Sequence, residues 1–352
     1  MNRLNKVRDL MKEKNLDAIL ITSMPNIFYF SNFKGTYGNL LILKDKTILF
    51  TDNRYKLIAE KTLKNSEIEL VITTGILKDL KNFTKKNYKI GIEDMNLPIS
   101  AYFNLKNSID SEIVFLGSDL SKLRMPKEKD EIEKLTNAIK IAEKSLEQLL
   151  GKIKLDMSEK EIANKLEYLL MENGAEERSF ETIVASGINS ALPHARASSK
   201  KLEKGEFLKI DFGAYYEGYA SDITRTFVLG KASNKHLEIY NAVKEANLLG
   251  IKSAKEGITF QELHKKVKEF LDSKGYGQYF THSLGHGLGI EVHEYPYAAM
   301  DEILKENMII TIEPGIYIEN FGGVRIEDDI LITKEEPKVL TNFPKNLIEL
   351  DI

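Results

Sequence analysis

Two segments of this sequence have the pattern of β-hairpins with acidic residues inside their strands. Residues 209–229, KIDFGAYYEGYASDITRTFVL, predict a strand, a turn at Glu217-Gly218 and a returning strand. Asp211 and Asp222 are almost symmetric about that turn, so we expect them nearly opposite each other. Like charges that face each other in a half-buried sheet are destabilising unless a cation lies between them. This segment therefore predicts a metal site on a β-sheet.

Residues 309–332, IITIEPGIYIENFGGVRIEDDILI, repeat this design. Glu313 lies on the first strand, we expect the turn at Gly322-Gly323, and Glu327 lies on the return. Pro314-Gly315 directly after Glu313 predicts a bend or bulge that re-aims a side chain. The two hairpins together present four carboxylates.

Residues 281–294, THSLGHGLGIEVHE, contain His282, His286 and His293, half of the six histidines in the chain. Histidine is the commonest metal ligand, so this glycine-rich segment predicts chemistry rather than packing. Four carboxylates and one imidazole would make five ligands, a number that suits two metals with shared carboxylates better than one. Such an oxygen-rich set favours manganese, cobalt or iron, and the absence of cysteine excludes a thiolate site.

The composition limits the possible partners and the compartment. With 352 residues the chain exceeds what one hydrophobic core usually supports, so we expect two domains. A net charge of -3 gives no reason to expect nucleic acid or an anionic membrane as partner. We find neither a signal peptide nor an uncharged apolar run long enough to span a membrane. We therefore expect a cytoplasmic protein, which the absence of cysteine also fits.

The pattern of elements predicts an α/β fold in two parts. Residues 1–122 alternate short strands and helices, as in a mixed α/β domain. The segment 123–127, LRMPK, is the predicted boundary, with Pro126 in the first turn of a long amphipathic helix. Later helices are predicted over residues 158–173, where Ser158 and Glu161 are spaced as a capping box, and over 235–254 and 259–274.

The order of the acidic residues and the sequence around them resemble a known family. The stretches IVASGINSALPH, IDFGAYYEGYASDITRT, SLGHGLGIEVHE, TIEPGIYI and GGVRIEDD are similar to those of the pita-bread metallopeptidases of family M24, in the branch of aminopeptidase P and prolidase. The resemblance implies a creatinase/prolidase-type domain over residues 1–122. It implies a catalytic pita-bread domain over residues 123–352, with a curved antiparallel sheet flanked by helices.

The resemblance also implies a centre of two divalent metals, manganese by preference, with cobalt, iron or zinc as alternatives. Asp211 and Asp222 would hold one metal, Asp222 and Glu327 would bridge, and His286 with Glu313 would complete the second. A hydroxide that bridges the two metals would attack the peptide bond before proline.

Further residues take roles that the same resemblance implies. Glu313 would carry a proton to the departing proline nitrogen, and His293 would hydrogen-bond the oxyanion. His282 would contact the carbonyl or the proline pocket. His194 would line the substrate pocket, and Arg325 matches an arginine that the family has close behind the metal ligands.

Alternative interpretations exist for single residues and for the whole chain. His236 and His264 lie on predicted helices among charged residues, so we expect them at the surface.

The leading function is an aminopeptidase P-like enzyme that removes the residue before proline from short peptides with proline second, and the alternative is an Xaa-Pro dipeptidase. Tyr297 stands where prolidases often have an arginine for the substrate carboxylate. This difference favours the aminopeptidase P-like function. A creatinase-like hydrolase or binding module is a third possibility. The resemblance implies a homodimer.

Overall fold

The computed structural model describes residues 3–352 and divides into two compact units. The first unit extends to Arg124 and the second runs from Met125 to Ile352. The α/β fold expected from the sequence is confirmed. The division at residues 122 and 123 remains a prediction. Within residues 3–352, the helices are too short or too polar to cross a membrane.

The first unit is built on one six-stranded sheet in the order β4-β3-β2-β1-β5-β6. Strands β1, β2 and β3 pair antiparallel, whereas β4, β5 and β6 join the sheet in parallel. The strands are β1 (Ala18–Ile21), β2 (Asn39–Leu43), β3 (Thr47–Thr51), β4 (Ile68–Ile72), β5 (Lys89–Ile92) and β6 (Glu112–Phe115). The helices are α1 (Arg3–Glu13), α2 (Met24–Ser31), α3 (Lys56–Leu63), α4 (Ile76–Leu80), α5 (Ile99–Ser108) and α6 (Asp119–Lys122).

The second unit has two pairs of long helices, one at its start and one in its middle. Its long helices are α7 (Lys129–Leu150), α8 (Glu159–Glu172), α9 (Asn234–Ser253) and α10 (Phe260–Ser273). The capping box of α8, formed by Ser158 and Glu161, is confirmed. The predicted place of Pro126 is wrong, because α7 begins only after Glu128, which forms its own capping box with Glu131.

Short strands make up the rest of the second unit. They are β7 (Glu177–Arg178), β8 (Ile183–Ser186), β9 (Phe207–Phe212), β10 (Ala214–Tyr216), β11 (Tyr219–Ala220), β12 (Ile223–Leu229), β13 (His286–Gly287), β14 (Glu294–Tyr297), β15 (Ile309–Ile312), β16 (Gly315–Ile318), β17 (Gly322–Arg325), β18 (Asp328–Leu331), β19 (Lys338–Val339) and β20 (Glu349–Leu350). They form sheets in the orders β11-β10-β7, β20-β12-β9-β8, β14-β13-β15-β18-β19 and β16-β17. Apart from the β12–β20 pair, the pairs are antiparallel. A continuous cluster of buried apolar side chains from α9, α10 and β15 forms the core behind these sheets.

The first acidic hairpin has a slightly different register from the predicted one. Glu217 and Gly218 both have positive φ, 49° and 83°, as a two-residue turn of a right-twisted hairpin requires. This turn pairs Tyr216 with Tyr219, and it sets Asp211 opposite Thr224. Asp222 therefore lies diagonally from Asp211 rather than nearly opposite.

The second acidic hairpin turns earlier than predicted, because Gly322 and Gly323 belong to β17 and the turn lies over residues 319–321. The strand interruption predicted at Pro314-Gly315 is present, since β15 ends at Ile312 and β16 begins at Gly315 in another sheet. The same register holds on both sides of the break. Its continuation brings Glu313 opposite Glu327, at the junction of two sheets.

Candidate metal centre

The five predicted metal ligands line one pocket of about 480 Å³ in the second unit. Each comes from a strand or from the residue next to one, so the sheets fix the backbone that carries them. Four of the side chains are nearly inaccessible, and that of Glu313 is 15% exposed. The ligands are Asp211, Asp222, His286, Glu313 and Glu327.

His286 presents a ring nitrogen to two carboxylates. Its Nδ1 lies 3.1 Å from the carbonyl oxygen of Gly287, so the proton of the neutral imidazole is assigned to Nδ1. The Nε2 atom lies 3.6 Å from Oδ2 of Asp222 and 3.6 Å from Oε1 of Glu313. Burial lowers the pKa of His286 to about 3, so the ring is neutral near pH 7. The lone pair on Nε2 of His286 thus faces the carboxyl groups of Asp222 and Glu313.

The carboxylates of this pocket repel one another. Burial, followed by the charges of Glu327 and Asp211, raises the pKa of Asp222 well above its usual value. Burial and the charge of Glu313 likewise raise the pKa of Glu327, against a 2.6 Å hydrogen bond that its Oε2 accepts from Thr224. Oδ1 of Asp211 and Oε1 of Glu327 are buried and accept no hydrogen bond within the described chain. Unpartnered buried oxygen atoms of this kind are costly unless a cation binds them.

Arg325 is buried, and each nitrogen of its guanidinium donates to another residue of this chain. Its Nη2 forms an ion pair with Oδ2 of Asp211, and its Nη1 donates to the hydroxyl of Tyr317 at 2.7 Å and to the carbonyl of Pro193 at 3.2 Å. Its Nε donates to the hydroxyl of Thr224 at 3.0 Å. Arg325 therefore supports Asp211 and the pocket wall, and its guanidinium is already engaged on both sides.

His282 and Glu313 share a second wall of the pocket. Nε2 of His282 lies 2.9 Å from the hydroxyl of Tyr317, and its Nδ1 lies 4.0 Å from Oε2 of Glu313. Burial and then the charge of Arg325 lower the pKa of His282 to about 3. Burial raises the pKa of Glu313 to about 7, so this carboxyl can hold or release a proton close to neutral pH.

His194 and His293 lie at the open side of the pocket, and both are exposed. The ring of His293 packs against that of His286, with 4.0 Å between centroids and 44° between the ring planes, and this desolvation of the ring lowers the pKa of His293. All of the sequence-predicted site residues thus line one pocket.

The donor set fits divalent metal ions. One oxygen atom of Asp222, one of Glu327 and a ring nitrogen of His286 lie within 4.8 Å of one another. Carboxylate oxygens with a single imidazole suit hard to borderline ions such as Mn²⁺, Co²⁺, Fe²⁺ or Zn²⁺. Metal binding would also supply the positive charge that the clustered carboxylates lack.

Several supporting residues were absent from the sequence-based prediction. Tyr317 connects His282 with Arg325, and Thr224 connects Arg325 with Glu327. The buried Nζ of Lys209 donates to the carbonyl of Leu192 at 2.6 Å. Arg196 lines the pocket two residues beyond His194. Of these residues, only Arg196 had a signal in the sequence, as a charged residue two positions after a predicted pocket histidine.

Comparison with known proteins assigns the family. Residues 133–334 match the model of metallopeptidase family M24, and residues 3–126 match the creatinase/prolidase N-terminal domain. The chain belongs to metallopeptidase family M24, and its second unit is the pita-bread domain of that family. It is a member of a hydrolase family that uses divalent metal ions, as the resemblance in the sequence implied.

Its relatives are similar over almost their whole length. An Xaa-Pro dipeptidase of Pyrococcus horikoshii is 39% identical over 98% of this chain and 98% of its own. The structure of an Xaa-Pro dipeptidase from Bacillus anthracis matches with a TM-score of 0.94 and 42% identity, over 99% of each chain. An X-Pro aminopeptidase structure from Thermotoga maritima matches with a TM-score of 0.90 and 37% identity, again over 99% of each chain.

Proposed function

We propose that this protein is a metal-dependent Xaa-Pro dipeptidase, which hydrolyses the bond between the first residue and proline in Xaa-Pro dipeptides. The observation that carries the proposal is the cluster of Asp222, His286 and Glu327, whose ligand atoms lie within 4.8 Å in the pocket of a family M24 chain. The relatives support the dipeptidase better than the aminopeptidase P-like activity that the sequence favoured.

We further propose the assignment of roles in the pocket. Asp211 and Asp222 hold one metal, Asp222 and Glu327 bridge, and His286 and Glu313 complete the second site, with manganese as the preferred ion. When bound, such a pair of ions lowers the pKa of water toward neutrality and polarises a carbonyl group. Support comes from the burial of these side chains and from the neutral, correctly oriented ring of His286.

The remaining pocket residues serve the substrate in this proposal. Glu313 accepts a proton and passes it to the departing proline nitrogen, which has no hydrogen of its own in the peptide bond. His293 donates a hydrogen bond to the oxyanion, and His282, oriented by Tyr317, contacts the carbonyl or the proline ring. His194 lines the substrate pocket. Arg325 orients Asp211 from behind, so its effect on substrate is indirect.

Aminopeptidase P-like activity is the second candidate function. It is favoured by Tyr297, an uncharged residue at the position after the VHE motif where prolidases often have an arginine. The Thermotoga relative also bears the name of an aminopeptidase. From the resemblance we also propose a homodimer, and from the composition a cytoplasmic location.

Hydrolysis of Ala-Pro, Ala-Pro-Ala and Ala-Ala by purified protein tests the proposal. We expect Ala-Pro to be the best substrate, Ala-Ala to be inert, and activity to disappear with a chelator and return with Mn²⁺. Protein that contains no divalent metal, or activity that survives chelation, would refute the metallopeptidase assignment. A higher kcat/KM for Ala-Pro-Ala than for Ala-Pro would establish the second candidate instead.

A further inference from the structure

The pocket contains two groups that are positively charged at every physiological pH, Arg196 and Arg325. They differ in availability. Arg325 is 3% exposed, and each of its three nitrogen atoms donates to a protein oxygen. An additional carboxylate could reach it only if the ion pair with Asp211 were broken. Among the described residues that line the pocket, Arg196 is therefore the arginine whose guanidinium can reach a substrate.

The side chain of Arg196 is 84% exposed, and the protein group that it faces is Glu181. Its Nε lies 3.6 Å from Oε2 of Glu181, whose side chain is 60% exposed. An ion pair this open to water is worth about 0 to 1 kcal/mol. A substrate carboxylate can therefore take the place of Glu181 at little cost.

The loop that carries Arg196 is held firmly on both sides. Before it, the carbonyl of Pro193 accepts hydrogen bonds from Lys209 at 3.3 Å and from Arg325 at 3.2 Å. After it, the backbone N–H and the hydroxyl of Ser198 donate to Oε2 of the buried Glu159, at 3.1 and 2.6 Å. Between these anchors, the buried Ala195 separates the exposed side chains of His194 and Arg196. The backbone at Arg196 is thus held in place although its side chain is exposed to solvent.

We propose that Arg196 binds the C-terminal carboxylate of an Xaa-Pro dipeptide at the mouth of the pocket. The inference rests on the proposed function, and it names the group by which this chain recognises a dipeptide although Tyr297 provides no charge. The guanidinium matches a carboxylate with two parallel N–H donors, a geometry that a lysine cannot reproduce. A peptide extended beyond proline has no carboxylate at this point and would forgo the interaction.

The test compares Ala-Pro with Ala-Pro amide, which differs only in the charge of its C-terminal group. We expect the manganese-loaded wild type to prefer Ala-Pro in kcat/KM by about 10- to 100-fold, the effect of one hydrogen-bonded charge pair. Arg196→Gln should lose this preference through a higher KM for Ala-Pro, and it should leave kcat/KM for the amide within about twofold. Arg196→Lys should retain part of the preference.

Arg178→Gln is the matched control, because Arg178 is also a partly exposed arginine paired with a glutamate, Glu167, but it does not line this pocket. It should keep the wild-type preference. If the wild type cleaves neither substrate, the proposed function fails. If it cleaves both, the inference about Arg196 is refuted when the wild type shows no preference for the carboxylate, or when Arg196→Gln slows both substrates equally.

Discussion

Nζ of Lys127 lies 2.8 Å from Oε1 of Glu294, and the two side chains are only 1% and 2% exposed. Glu294 directly follows His293, and its Oε2 also accepts the backbone N–H of Glu291. The pair thus fastens the start of the second unit to the segment that carries His286 and His293. Because both charges are out of water, removing one partner of this pair lowers stability far more than removing one partner of a surface ion pair.

We expect Lys127→Met to lower the free energy of unfolding by about 3 to 5 kcal/mol, because the buried carboxylate of Glu294 loses a cation. Urea-induced unfolding measures the effect. The double variant Lys127→Met/Glu294→Gln should recover a large part of the loss, since it removes the charge that Lys127 compensates. Lys265→Met, at a 75% exposed lysine in a surface pair, should change stability by less than about 0.5 kcal/mol. Equal effects of Lys127→Met and Lys265→Met would contradict this account.

Position 285, next to His286, requires a glycine because the backbone of β15 lies close to it. A side chain there would overlap the carbonyl oxygen of Thr311, whose hydroxyl accepts the backbone N–H of His286 at 3.1 Å. We expect Gly285→Ala to displace the imidazole and to weaken metal binding by about 10- to 100-fold, measured by titration of chelator-treated protein. Gly151→Ala should bind metal normally, since nothing lies near that position and its φ is -69°. Unchanged affinity in Gly285→Ala would show that this segment can shift without harm to the site.

Local patterns in the sequence predicted most of the elements. The capping box of α8 agrees with the structure because helices are defined by contacts within a few residues. The exact pairing of the hairpins was harder to predict, because it depends on the turn conformation. Positive φ at both Glu217 and Gly218 centres the first hairpin between these two residues, which places Thr224 rather than Asp222 opposite Asp211.

The candidate site was also predictable only in part from the sequence. The acids and histidines could be identified because their spacing resembles a family, whereas the hydrogen bonds of Tyr317 and Lys209 join parts of the chain that the sequence alone does not bring together. The expected surface location is wrong for His236 for a similar reason, whereas His264 is half-buried. His236 is buried beside Phe207 and Phe321, and Nδ1 of His264 accepts the backbone N–H of Leu284.

His286 and His293 should respond differently to substitution although their rings are in contact. His286→Ala removes the nitrogen that lies 3.6 Å from two carboxylates, so we expect metal content and activity to fall together. His293→Ala should retain the metal and lower kcat by about 10²- to 10³-fold, the usual effect of losing one oxyanion donor. Elemental analysis of the purified variants, alongside turnover of Ala-Pro, separates the two. Loss of metal from His293→Ala would assign that residue to the metal centre.

The chelator-treated protein should become less stable as the pH rises above 7.5. Burial and neighbouring charges raise the pKa values of Asp222 and Glu327, and burial raises that of Glu313 to about 7. The folded chain therefore retains protons on these carboxyls that the unfolded chain has already released. Above pH 7.5 the histidines are almost entirely neutral in both states, because even in the unfolded chain their pKa is about 6.5, so the carboxyls determine the slope. Each carboxyl that stays protonated lowers the free energy of unfolding by about 1.4 kcal/mol per pH unit.

Urea unfolding at pH 7.5, 8.2 and 9.0 measures this slope with and without Mn²⁺. The metal binds the ionised carboxylates, so the stability that it adds should grow with pH in the same range in which the metal-free protein weakens. Asp222→Asn removes one of the titrating groups, and its metal-free form should show a shallower slope than the wild type. Stability of the metal-free wild type that stays level or rises between pH 7.5 and 9.0 would mean that these carboxyls are ionised in the folded chain without a metal to balance them.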